Sequence, residues 1–334
     1  MQQSRTRRLI AAAFIVGAIA ALSIWFGRQL HQQLLNRALI AAIKKSDAAG
    51  VDTILAAGAD PNTRDSPEKQ ESLLERVKHL FRPAATLEPT ALILALQQRG
   101  PIREPGDEHP MPMQLLAIVK SLVARGADVS ARDSHGDTPI GELYTYDHPG
   151  SQDLPRILET LLTAGESANP ILNEPGALSP LYCAVAINDT LSVHLLLDHG
   201  ANTEATDFHG STPLMIACRE DDRTGIVRML LDHRANLNTT DHLGNTPLME
   251  AAIYGRTANA RLLLEHGAKV DARGGPDPTQ SPEAFAFLEA DGVRTHGRYR
   301  INPKPPAFAT PLSVAQREGY TEIAALLKAY GAKQ

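Results

Sequence analysis

Apolar residues fall along the chain in two patterns. Residues 9–27, LIAAAFIVGAIAALSIWFG, form 19 consecutive positions without a charge. As a helix rising 1.5 Å per residue they reach about 28 Å, just enough to span a hydrocarbon core. Beyond them the apolar residues come in short runs such as PLYCAVA and VHLLLD, punctuated by Gly, Asn and Asp. That spacing predicts short amphipathic helices joined by tight turns. Ala and Leu dominate while β-branched runs are scarce, so the fold class expected is all-α.

The short runs repeat. Residues 176–207 read GALSPLYCAVAINDTLSVHLLLDHGANTEATD, residues 209–241 read HGSTPLMIACREDDRTGIVRMLLDHRANLNTTD, and residues 243–274 read LGNTPLMEAAIYGRTANARLLLEHGAKVDARG. Their S/T-P-L tripeptides begin at Ser179, Thr212 and Thr246, 33 and 34 residues apart. Ser or Thr before Pro supplies an N-cap and a proline at the first helical position, where its missing N–H costs nothing. Leu195 to Leu197 and Leu262 to Leu264 give the second helix a wide apolar face, and Gly200 and Gly267 end it in the left-handed conformation. Motifs and period together resemble the ankyrin-repeat family. The resemblance implies a solenoid of about seven helix-turn-helix units, because one helix pair cannot bury its apolar face alone.

Other units are degraded. Units fall near 35–62, 86–130, 133–170, 176–206, 207–240, 241–272 and 308–334, within an array over 35–334. The second starts at Thr90-Ala91-Leu92, the third at Thr138-Pro139-Ile140, and the last, shortened, reads as a C-terminal cap. The residue after the tripeptide is usually His in the family, whereas this chain has Tyr182, Met215, Met249 and Ser313, so the network around that His is not expected here. Insertions at 64–85, 99–112 and 273–307 break the period. The first carries an amphipathic helix after Ser66-Pro67, the second a proline-rich loop, and the third a short helix after Ser281-Pro282 and a basic hairpin turning at His296-Gly297.

Charge refines the reading of the N-terminus. Residues 1–37 hold five arginines and no acid, and the remainder holds 28 basic against 38 acidic residues. Arg5, Arg7 and Arg8 precede the apolar run and Trp25-Phe26 close it, as expected of a signal anchor with a cytoplasmic stub at 1–8 and a transmembrane helix at 9–27. Ala18-Ile19-Ala20 resembles a cleavage site, but cutting there leaves an apolar N-terminus; an uncleaved anchor is the reading taken. Ala13, Gly17 and Ala21 share a small-residue face open to helix pairing. Only RQLHQQLL separates the span from the first repeat, so the anchor helix is expected to run into the array. The short anchor points to a bacterial protein of the inner membrane, its repeats in the periplasm.

An acidic body disfavours a nucleic-acid partner. No catalytic, cofactor or metal constellation stands out, so neither an enzyme nor a small-molecule binder is expected. Cys183 and Cys218 occupy apolar first-helix positions of adjacent repeats, too far apart for a disulfide, and read as free core thiols. His199, His233 and His266 sit at successive second-helix ends, about 10 Å apart if stacked, too far to share an ion. The resemblance places DSHGD (133–137), DFHGS (207–211) and DHLGN (241–245) on finger turns between repeats. Phe208, His209, His242 and Leu243 there, with first-helix residues Tyr182, Met215 and Met249, form the expected face for a protein partner. Regulation or inhibition of an enzyme or toxin in the periplasm, and a structural role in a membrane complex, are the alternatives.

Overall fold

The computed structural model describes residues 2–65, 88–98, 114–145, 153–170, 178–274 and 309–333, with side chains from residue 21 onward. The insertion helix after Ser66, the proline-rich loop, and the helix and hairpin expected within 275–308 lie outside the described residues.

Among the described residues every regular element is a helix. In order they are α1 (Gln2–Lys44), α2 (Ala48–Ala56), α3 (Ala91–Gln97), α4 (Leu115–Ala124), α5 (Pro139–Thr145), α6 (Leu154–Thr163), α7 (Pro180–Ala186), α8 (Thr190–Asp198), α9 (Pro213–Cys218), α10 (Thr224–Asp232), α11 (Pro247–Ile253), α12 (Thr257–Glu265), α13 (Pro311–Arg317) and α14 (Thr321–Ala329). A 3-10 turn, Asp221–Arg223, sits between α9 and α10. Isolated bridges join Arg64 to Thr90 and Gly274 to Ala309.

The chain divides into two compact units, Met1–Glu142 and Leu143–Gln334. In the first, α1 packs on α2 and α3, and α4 packs on both α2 and α3. In the second, α7, α9, α11 and α13 stack as one row and α6, α8, α10, α12 and α14 as another. Val193, Leu196 and Leu197 of α8 and Ile226, Val227, Leu230 and Leu231 of α10 are buried between the rows. Each such side chain contributes about 1.5–3 kcal/mol of burial.

Local chemistry starts and stops these helices as the tripeptides predict. The hydroxyls of Thr90, Thr138, Ser179, Thr212, Thr246 and Thr310 accept from the backbone N–H three residues on, at 3.2–3.4 Å. Thr90 does so without a following proline. Gly200 and Gly267 take φ 76° and 90° after α8 and α12. After α10 the same place is held by Arg234, at φ 64°.

α1 is one continuous helix from Gln2 into the first repeat. Leu39, Ile40, Ala42 and Ile43 are buried, and two polar residues fasten the helix to the end of α2. Gln32 donates to the Gly58 carbonyl at 2.9 Å, and Asn36 accepts from the Asp60 N–H at 2.9 Å. Asn62 makes the same pair of bonds alone, to the Gly126 carbonyl (3.1 Å) and the Asp128 N–H (2.6 Å). So does Asn169, to Gly200 (2.9 Å) and Asn202 (2.7 Å). α1 thus clamps the first repeat as a preceding repeat would. Among the described residues no helix is long and apolar enough to cross a membrane; the side chains of residues 9–20, most of the expected span, lie outside that description.

Candidate functional site

Three finger turns share one construction. Asp133 Oδ1 accepts from the His135 and Asp137 N–H groups at 2.9 and 3.0 Å, Asp207 Oδ1 from His209 and Ser211 at 2.9 and 2.8 Å, and Asp241 Oδ1 from Leu243 and Asn245 at 2.9 and 2.7 Å. Each carboxylate satisfies two amides that the sharp turn leaves without a ladder partner. The glycine at the fourth position takes φ 79–86° in the first two turns and 76° in the third, which a Cβ would strain.

In the second unit two of these fingers are joined. The His242 N–H donates to the His209 carbonyl at 2.9 Å, and the His242 ring covers Gly210 so closely that an added Cβ would meet its Cδ2 at 2.8 Å. Phe208 and His209 rings lie 3.9 Å apart, tilted by 46°. Phe208 is 56% exposed, His242 is exposed, and His209 and Leu243 are half-buried. These four expected residues therefore come together on adjacent tips.

The other three do not reach that surface. Tyr182 is 5% exposed and Met215 and Met249 are 0% exposed, so the first-helix part of the expected partner face is corrected to core. The residue three positions into the helix turns back under the finger instead of outward. Tyr182 donates its hydroxyl to Asp207 Oδ2 at 2.7 Å; the Met215 sulfur accepts from the Thr212 N–H at 3.5 Å; Met249 packs with Ile253, Ala309 and Val314.

Beneath the fingers lies a polar network that the sequence did not reveal. Arg219, at the end of α9, donates from Nε to Glu250 Oε2 of α11 at 2.8 Å, and from a terminal nitrogen to Ser211 Oγ at 3.2 Å. Arg256 donates to the Arg219 carbonyl at 2.7 Å and pairs with Asp221 at 2.9 Å. Burial raises the Glu250 carboxyl above the usual carboxylate range, and Arg219 opposes it. Asp241 is likewise raised by burial against the hydrogen bonds from Asn245. The network rigidifies the base on which the tips stand.

The remaining candidates are structural. Cys218 is buried and Cys183 half-buried, and neither forms a disulfide. Burial, with Glu250 adding to it, pushes the Cys218 thiol far up, so it stays protonated and unreactive at neutral pH. His199, His233 and His266 occupy the C-cap position of α8, α10 and α12. Nδ1 of His199 and of His266 lies 3.0 and 2.8 Å from the carbonyl one turn back, where a ring nitrogen suits the helix dipole's negative end. Among the described residues, Asp133, Asp137 and Glu142 offer carboxylate oxygens all within 4.8 Å of one another.

Residues 150–241 and 210–274 match the family model described as ankyrin repeats (3 copies). Residues 150–274 resemble ankyrin repeats. They imply a protein–protein interaction module, built here from N-capped first helices, stacked second helices and Asp-locked fingers. No curated protein matches the chain.

Proposed function

We propose that this is a membrane-anchored ankyrin-repeat protein that holds a protein partner on the tips of its fingers, outside the cytoplasmic membrane of a bacterium. The carrying observation is Phe208, 56% exposed on a turn that Asp207 fixes. A large apolar side chain held rigidly in water loses little conformational freedom on docking, so its burial in a partner is nearly all gain. His209, His242 and Leu243 surround it as a mixed polar and apolar rim.

Seven repeats are the count proposed. Six hydroxyl-capped first helices and the α1–α2 pair support it. Anchoring rests on the uncharged run at 9–27, its arginine flank, and the exposure of Leu22, Ile24, Trp25 and Phe26 at its end. In lipid that exposure is favourable, whereas in water it is costly. The continuity of α1 makes the anchor also the first helix of the array.

Affinity capture with the full chain in detergent, followed by mass spectrometry, tests the partner face. Phe208→Ala with Leu243→Ala is expected to lose the captured protein while melting within about 1 kcal/mol of wild type, as surface changes do. Undiminished capture by this double variant rejects the patch. The mature N-terminal mass and protease protection of the array in vesicles test the anchor independently.

A further inference from the structure

The first and last helices of the chain differ in what they show to water. In the second unit α14 buries Ile323, Leu326 and Leu327 and turns Glu322 and Lys328 outward, the polar outer face that a terminal repeat needs. In the first unit α1 buries Leu39 and Ile43 but leaves Leu22, Phe26, Leu30 and Leu34 exposed, the last two at 50 and 57%. These four are spaced by four residues and form one row along the helix. At about 100° per residue, Leu30 and Leu34 are centred opposite Leu39 and Ile43. The row therefore leaves the uncharged run and continues past Arg28 on the side away from the array. Arg28 and Arg37 accompany it, both exposed. Among the described residues neither is ion-paired, whereas Lys44 is held by Asp65 at 2.8 Å. The first acid in the chain is Asp47.

We propose that residues 28–37 of α1 dock on anionic phospholipid headgroups of the membrane that holds residues 9–27, an assignment that rests on the anchor reading given above. Charge complementarity selects the occupant: an exposed apolar row flanked by unpaired arginines, with no acid near it, fits an anionic lipid surface. The reach is right. Leu34 lies about 10 Å along the helix from Gly27, and the headgroup layer on each side of the hydrocarbon core is about 5–8 Å deep. Helical side chains lean toward the helix N-terminus, so Leu34 and Arg37 lean back toward the bilayer. An arginine there keeps its apolar stem on the leucine row and its guanidinium at the phosphates, which it can bind through two N–H groups at once. The opposite face is already taken, since Gln32 donates to the Gly58 carbonyl and Asn36 accepts from the Asp60 N–H. A second copy laid parallel along the row fits worse. It would set Arg28 and Arg37 against their own copies, with no acid before Asp47 to relieve them.

Trp25, the one tryptophan of the chain, sits three residues before Arg28 and serves as the probe. The full chain is reconstituted in phosphatidylcholine vesicles that carry increasing fractions of phosphatidylglycerol or phosphatidylcholine with a dansyl group on the acyl chain, and energy transfer from Trp25 is read. Half-maximal transfer is expected at an about fivefold lower fraction of the anionic lipid, the preference that one arginine confers at a charged surface. Sodium chloride at about 0.5 M is expected to narrow the difference. The double variant Arg28→Gln, Arg37→Gln is expected to bring the two curves together while transfer to the phosphatidylcholine probe stays as in the wild type. Equal transfer to both lipids in the wild type overturns the headgroup assignment and leaves the anchor standing. Transfer to neither overturns the anchor, and the headgroup assignment with it. A preference that survives the double variant removes the two arginines from the site and overturns the assignment. So does a dimer in detergent, seen by sedimentation, that Leu30→Gln with Leu34→Gln dissociates, since the row then belongs to a second copy.

Discussion

Arg219 Nε lies 2.8 Å from Glu250 Oε2, joining the end of α9 to the middle of α11 where Glu250 is 1% exposed. A carboxylate buried to that degree survives only with a partner of opposite charge and further hydrogen bonds. Arg219 is the partner; Ser211 holds its guanidinium, and Arg256 holds its backbone carbonyl. Arg219→Ala is expected to cost about 3–5 kcal/mol, because it strands the Glu250 charge. The double variant Arg219→Met, Glu250→Leu is expected to recover most of that loss, since an apolar pair needs no mutual satisfaction. Urea denaturation of the three chains measures both effects.

Acidity acts on the same place. Glu250 and Asp241 bind their protons at higher pH in the folded chain than in the unfolded one, chiefly because both are buried. Between the usual carboxylate range and those raised values the native state therefore holds more protons. The contribution of these two groups to stability is fully present below the usual range and is lost as pH rises through the raised values. Relative to Glu250→Gln, the wild-type urea midpoint is expected to rise as the pH falls from 7.5 to 5. An unchanged difference between the two chains across that interval removes the attribution.

Arg234 carries a backbone cost that its equivalents avoid. It adopts φ 64°, where Gly200 and Gly267 close the neighbouring repeats. A side chain in that region costs about 1–2 kcal/mol, part of which glycine returns through its freer unfolded state. Arg234→Gly is expected to stabilise the chain by about 0.5–1 kcal/mol. A higher melting temperature with unchanged partner capture is the expected reading.

The stalk between apolar run and array is helical and clamped by Gln32 and Asn36. Limited proteolysis at Arg28 or Arg37 is expected to be slow in the intact chain. Replacing both Gln32 and Asn36 by Ala is expected to speed it, by freeing the helix from Gly58 and Asp60. Rapid cutting of the wild type at Arg28 would contradict a continuous strut.

Much of the architecture was written locally. Thr or Ser before Pro, the glycine after each second helix and the Asp-x-x-Gly finger each act over five residues or fewer, so they read directly from the chain. Even the weak start at Thr90 was legible, because a hydroxyl cap needs only the amide three residues on. Phe208, His209, His242 and Leu243 were placed on the finger turns by the ankyrin resemblance. The errors came where a side chain chooses between two directions. Tyr182, Met215 and Met249 occupy a position whose outward or inward course depends on what the next repeat offers, and Asp207 and the core drew them in.

What the sequence alone determined is the repeated unit: the helix starts, their stops, the turns between them and the apolar faces that demand stacking. What only the tertiary structure decided is which polar groups meet across repeats. Arg219 and Glu250 are 31 residues apart, and Tyr182 and Asp207 are 25 apart. No periodicity in the chain encodes those meetings. They follow from the stacking register of neighbouring helices, which brings side chains from adjacent repeats within hydrogen-bond reach once the apolar faces are buried.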